Sequence, residues 1–162
     1  MAVDLEYRLS GGAANSNPLL SIGGAMSSVE ATGSTLFDTV TSAEAAAGDT
    51  EYRCVYIYNN GATEATSCSL WIQANTPSGD TDIAIALGGE GEGGSAETPA
   101  DENTAPSGES FSSPSSAGTG LSLGNLAAGE RYPVWIRRTV TAAAAASASD
   151  TFTLRVSYDY IP

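Results

Sequence analysis

Apolar and polar residues alternate with a period of two along much of this chain, the pattern of strands that bury one face. Val3, Leu5, Tyr7 and Leu9 interleave with Asp4, Glu6 and Arg8, and Gly11-Gly12 ends the run. Ile83, Ile85 and Leu87 interleave with Ala84 and Ala86. Thr151 to Tyr160 closes the chain with Phe152, Leu154, Val156 and Tyr158 expected inward and Thr153, Arg155 and Ser157 outward. Leu121, Leu123 and Leu126 alternate more loosely before a turn at Ala128-Gly129. Arg131 to Val140 reads as another strand; Pro133, which has no N–H, places its start at an edge or a bulge.

The organising stretch runs from Glu51 to Gln73. Tyr52 to Tyr58 is aromatic and β-branched, and Ser67 to Ile72 alternates cleanly. Asn59, Asn60 and Gly61 between them tolerate positive φ, so the two runs are expected to form a hairpin. Alternation puts Tyr52, Cys54, Tyr56 and Tyr58 on one face and Arg53, Val55 and Ile57 on the other. Both faces carry apolar groups, which predicts a central strand covered on both sides. On the second run Cys68, Leu70 and Ile72 share a face and Trp71 points away from it.

The connections are less regular. Residues 13–34 are small and polar, and read as a wandering segment. Leu36, Phe37 and Val40 make a short strand or extended piece, and Ser42 to Ala47 a single helical turn capped by Ser42. Gly48-Asp49 and Asn75 to Asp80 are turns, and Ala142 to Asp150 is a low-complexity hairpin tip. Gly88 to Gly120 holds 33 residues, mostly Gly, Ser, Glu, Pro and Thr, with Phe111 its one large apolar side chain. The tally is seven or eight short strands with almost no helix: an all-β sandwich, immunoglobulin-like rather than a jelly roll. Residues 1–162 are expected to form one such domain, with 88–120 a long surface loop.

Composition adjusts that picture. The hydrophobic fraction of 41% overstates the core, since much of it is loop alanine. A chain of 162 residues nevertheless buries roughly 70% of its unfolded surface, enough for a core without staples. The formal net charge is −13, all six basic residues are Arg, and no basic residue occurs from Cys54 to Glu130. Such a chain repels phosphate backbones and anionic lipid, so neither nucleic acid nor membrane is expected as a partner. The N-terminus lacks a basic region followed by an apolar one, so synthesis in a host cytoplasm is expected. Cys54 and Cys68 would face each other across the hairpin, and are expected to be close, buried and unbonded.

Chemistry is sparse. Without His, the usual Ser-His-Asp and Cys-His arrangements cannot form and zinc loses its commonest ligand. Without Lys there is no Schiff base, and no Gly-rich phosphate motif is present. A carboxylate-pair hydrolase needs an apolar pocket to raise one pKa, whereas these acids sit in a Gly/Ser-rich loop. No enzyme activity and no cofactor are expected. Asp80, Asp82, Glu90, Glu92, Asp101 and Glu102 offer oxygen ligands for Ca²⁺, without a recognised loop signature; a solvated acidic loop is the simpler reading. Tyr56, Tyr58, Trp71 and Trp135 are candidates for a sugar-stacking platform, or more simply for the core. Phe111, Arg137 and Arg138 are the candidate partner-binding residues: the arginines form the one concentrated basic feature, placed to anchor the acidic loop, to pair with a partner, or simply to line a solvated strand face.

Several strings together resemble small structural proteins of tailed-bacteriophage virions. They are GDTEYRCVYIYNN (48–60), NTPSGDTDIAIAL (75–87), ADENTAPSG (100–108), GERYPVWIRRTV (129–140) and TFTLRVSYD (151–159), spanning roughly residues 35–160. The resemblance implies a β-sandwich and a head decoration, or cement, role in the virion. Its expected partners are the major capsid protein or other virion proteins, with a homo-oligomer in the assembly. It carries no site residue across. A tail, baseplate or fibre component is the alternative position, and a carbohydrate- or Ca²⁺-binding adhesion module the alternative class. On this reading the 88–120 loop cannot offset its ordering entropy, about 1–2 kcal/mol per residue, from internal contacts. Neighbouring chains, or the sandwich body through Phe111, must supply the contacts, and the loop, together with the N-terminal segment, is expected to lie along the neighbours. Replacing residues 90–116 with a short linker is therefore expected to leave the stability of the isolated domain almost unchanged.

Overall fold

A computed structural model describes residues 2–31, 36–147 and 150–159. Its strands are β1 (Leu5–Leu9), β2 (Asp49–Asn59), β3 (Ala65–Ala74), β4 (Thr81–Leu87), β5 (Leu121–Leu126), β6 (Arg131–Val140) and β7 (Thr153–Asp159). One short helix, α1 (Ser42–Ala47), precedes β2. Two antiparallel sheets form, with strand orders β1-β2-β6-β4 and β5-β3-β7. The fold is an all-β sandwich. Tyr160, the residues 32–34 of the wandering segment and 148–149 of the low-complexity tip lie outside the described residues.

The expected β2–β3 hairpin does not form. β2 pairs with β1 and β6, β3 with β5 and β7, and the two strands belong to different sheets. The turn residues are used otherwise. Buried Asn59 accepts from the Gly61 N–H through Oδ1 and donates through Nδ2 to the carbonyls of Thr63 and Leu126. That ties the exit of β2 to the end of β5 and carries the chain across to the other sheet. Gly61 is needed for a close approach: a Cβ there would lie 2.4 Å from the Ala2 carbonyl oxygen. The low-complexity segment after β6 is likewise no hairpin tip, since β6 and β7 lie in different sheets. Its Ala143 and Ala144 N–H groups donate to Ala46 and Ala45 of α1.

Face assignments follow the alternation. Val55, Ile57, Cys68, Leu70, Ile72, Ile83, Ile85, Val134 and Ile136 meet between the sheets. Cys54, Tyr56 and Trp135 occupy the outer face of the four-stranded sheet with Ala86 and Ala96. β2 is therefore central and covered on both sides, as its composition predicts. The two cysteines are free, but in separate clusters and not facing one another.

Three local expectations change. The helix cap is Thr41, not Ser42: Thr41 accepts from the Glu44 N–H and the Glu44 carboxylate accepts from the Thr41 N–H, a capping box. Of the two readings of Leu36, Phe37 and Val40, the short strand does not form. Pro133 lies in β6, an interior strand opposite Tyr56, rather than at an edge. Its carbonyl accepts from the Gly88 N–H, just past the last β4 residue. A strand residue aims its N–H and C=O to the same side. The missing N–H thus falls where the β4 ladder has ended.

β7 lies at the edge of its sheet, so Leu154 and Val156 are half-buried and Tyr158, on the same face, is exposed rather than buried. Leu70, by contrast, is fully buried. Leu70→Ala is expected to lose about 2–5 kcal/mol, and Leu154→Ala about 1–2 kcal/mol because it leaves a partly open site. Denaturant titration of both variants checks the order.

Candidate functional site

The outer face of the four-stranded sheet is roofed by two segments without strands, and this roof holds most of the residues singled out from sequence. Tyr56 anchors it. Its hydroxyl donates to the Gly24 carbonyl at 2.6 Å and accepts from the Ala96 N–H at 2.8 Å. Gly24 and Ala96 pair in turn as an isolated bridge. Gly23 permits the contact, since a Cβ would sit 1.8 Å from the Glu97 carbonyl oxygen. Beyond the end of β1, the loops take over the hydrogen bonding of β2: the Cys54 N–H donates to Ser21 and the Tyr52 N–H to Glu102. Ser10 and Ser21, both buried, donate their hydroxyls to the Cys54 carbonyl. Burial pushes the Cys54 thiol far above its usual range, so it is inert as a nucleophile.

Phe111 tilts against Tyr52 with ring centroids 5.5 Å apart, and the Arg137 guanidinium lies 5.1 Å from its ring. Ser112 exchanges backbone hydrogen bonds with Ile85, and Pro106 and Pro114 are buried. Contacts with the sandwich body therefore hold the 88–120 loop within a single chain, where neighbouring chains were expected to hold it.

The loop's carboxylates serve it internally. Glu90 accepts from the Glu97 N–H, Glu97 from Ser107, Glu109 from Gly89, and Asp101 from Asn103 and the Thr104 hydroxyl. Glu92 accepts from Ala127 in the turn after β5. Each satisfies a backbone donor that no strand or helix would satisfy. Elsewhere Asp80 and Asp82 engage the Ala145 N–H and Asn75. The six carboxylates weighed as Ca²⁺ ligands thus stay dispersed.

Three carboxylates do converge: Asp38, Glu51 and Glu102, with ligand oxygens within 4.8 Å of one another. Two guanidiniums already occupy that space. Arg138 bonds both Glu51 and Asp38, and Arg53 pairs with Glu102 and Glu51. Arg53, fully buried, also donates to the carbonyls of Leu36 and Tyr52. Alternation along β6 sends neighbouring arginines to opposite faces, so Arg138 joins this inner cluster while Arg137 goes to Phe111. All three candidate partner-binding residues make contacts within the chain. Arg53 was missed by sequence reading; its signal was a lone Arg on the apolar inward face of a central strand.

The cluster counts three carboxylates against two guanidiniums. Burial of Glu51, only partly offset by Arg138, raises its pKa from 4.5 to about 7. The folded state then keeps a proton that the unfolded chain releases. Stability from this group is present below pH 4.5 and is lost as pH rises towards 7. Glu51→Gln is expected to flatten the stability–pH curve across that window, measured by denaturant titration at successive pH values.

The four aromatics form no platform: Tyr56 and Trp135 are fully buried. Trp71 faces outward on the other sheet, where it donates to Ser157, and Tyr58 lies under Arg8. Among the described residues no helix is long and apolar enough to cross a membrane.

No family model, curated protein or solved structure matches this chain.

Proposed function

We propose that this chain is a non-enzymatic virion structural protein, a decoration or cement protein that binds the head surface of a tailed-phage particle and stabilises it. The observation that carries the reading is the braced roof. A long acidic loop without strands is locked to the sheet by Tyr56, Phe111 and Arg53, and its own carboxylates satisfy its turns. Such a surface has a fixed shape and abundant negative charge. It suits docking by complementarity to a larger protein lattice better than it suits chemistry. The string resemblance to virion proteins points the same way. The capsid protein is the partner in this reading, and residence in the virion follows from it.

The immunoglobulin-like topology belongs to the same proposal. In the larger sheet β1, β2, β6 and β4 stand in the relation of strands A, B, E and D of that fold, while a smaller sheet centred on β3 departs from it. The adhesion-module alternative loses two of its four aromatics, Tyr56 and Trp135, to the core.

Shells purified without the protein and titrated with it provide the test. Saturable binding at symmetric positions, seen by cryo-microscopy, and a higher shell melting temperature are the expected results. Absence from the head, with density for the chain in the tail or baseplate, overturns the head assignment.

A further inference from the structure

Among the described residues two of the four sheet edges, β1 and β4, are covered by hydrogen bonds, and a third, β5, is irregular. The free side of β1 is hydrogen-bonded to segment 27–31: the Leu9 N–H donates to Val29, and Ser27 and Ala31 donate to Leu9 and Tyr7. The free side of β4 is taken at Ile83 by the Asn75 side chain, which bonds both its N–H and its carbonyl, and at Ile85 by Ser112. β5 is interrupted by Gly124 at φ 75° and by register shifts against β3. β7 also has register shifts against β3, but its free side carries no such cover. It runs unbroken from Thr153 to Asp159 without Pro or Gly, and among the described residues nothing hydrogen-bonds its outer side. A bare edge of this kind is a template for strand addition.

The space beside it is suited to a strand. A cleft separates β7 from β1, lined by Val3, Leu5 and Tyr7 on one side and Leu154, Val156 and Tyr158 on the other. The Tyr7 hydroxyl there is buried with no hydrogen-bond partner among the described residues. A fourth strand in the smaller sheet would cover these partly exposed side chains.

We propose that the occupant is β7 of a second copy, joined antiparallel about a two-fold axis through Ser157. The charges select this partner and register. Arg155 and Asp159 are exposed, lie four residues apart on one face, and have no ion-pair partner among the described residues. Pairing about Ser157 sets Arg155 opposite Asp159 of the other copy, twice, and sets Val156 opposite Tyr158. Pairing about Val156 would set Arg155 against Ser157 and leave both charges unmatched. Opposite charges directly across a strand pair stabilise it, and like charges oppose it.

The test is a charge swap followed by sedimentation at about 0.15 M salt, which screens the repulsion between two acidic copies. The native chain is expected to dimerise reversibly. Arg155→Asp and Asp159→Arg are each expected to raise the dimer dissociation constant about tenfold or more, and the double swap to restore it to within about twofold. In the native chain, amide exchange across 153–159 is expected to slow as concentration rises. A native chain that stays monomeric, single reversals without effect, or exchange at 153–159 that ignores concentration overturns the proposal. Protection that appears only when a foreign strand is added also overturns it, assigning the edge to a different partner.

Discussion

Replacing residues 90–116 with a short Gly-Ser linker is expected to unfold the protein or leave it without fixed tertiary packing. The segment supplies Ala96, which satisfies Tyr56, and Phe111, which packs on Tyr52. It also supplies Glu102, which pairs with Arg53 and caps the Tyr52 N–H. Its loss opens the outer face above Tyr56 and Trp135, both now fully buried. Uncovering two large aromatic side chains costs about 1.5–3 kcal/mol each, before any orphaned hydrogen bond is counted. A total near 5 kcal/mol rivals the whole net stability of many domains. Near-UV circular dichroism and thermal melting of the isolated variant check this. Melting within about 5 °C of the parent would return the loop to a free excursion held only by neighbours.

Arg53→Met is expected to cost about 3–5 kcal/mol, because removing one member of a buried charged set strands the others. Glu51 would be left with Arg138 alone, and Glu102 would lose its cation. The carbonyls of Leu36 and Tyr52 would each lose a donor. Adding Glu51→Gln removes much of the excess negative charge, so the double variant should be less destabilised than the two single losses sum to. A double-mutant cycle by denaturant titration measures that coupling. Strict additivity would mean that the cluster does not act as a unit.

Strands were legible because alternation is a property of a single run of residues. Val55, Ile57, Leu70, Ile72, Ile83 and Ile85 all face where their spacing places them. Pairing was not legible, because it depends on where a turn sends the chain. Asn59-Asn60-Gly61 carries ordinary reversal chemistry, and only the side-chain bonds of Asn59 to Thr63 and Leu126 reveal a crossing between sheets. The capping box was readable as Thr41-Ser42-Ala43-Glu44, a Thr followed three residues later by Glu, yet Ser42 beside it is an equally good cap by type. The loop misled through composition. Its acids read as solvated charge, whereas most accept from nearby N–H groups, and acids spaced among glycines were the available clue. Arg137 and Arg138 read as one patch, although strand alternation alone already separates adjacent side chains.

From β2 to β7 the chain changes sheet at every step, and β1 meets β2 only across the intervening segment 10–48. No strand therefore pairs with the next one through a tight turn, and every ladder is closed by a long detour. Search, rather than local propensity, should set the folding rate, placing this protein among slow β topologies that fold over milliseconds to seconds. A chain still being synthesised cannot join β2 to β4 until β6 has emerged, and its smaller sheet stays unfinished until β7 does. Truncation near the C-terminus should thus yield no stable partial domain, only exposed strand edges prone to aggregation.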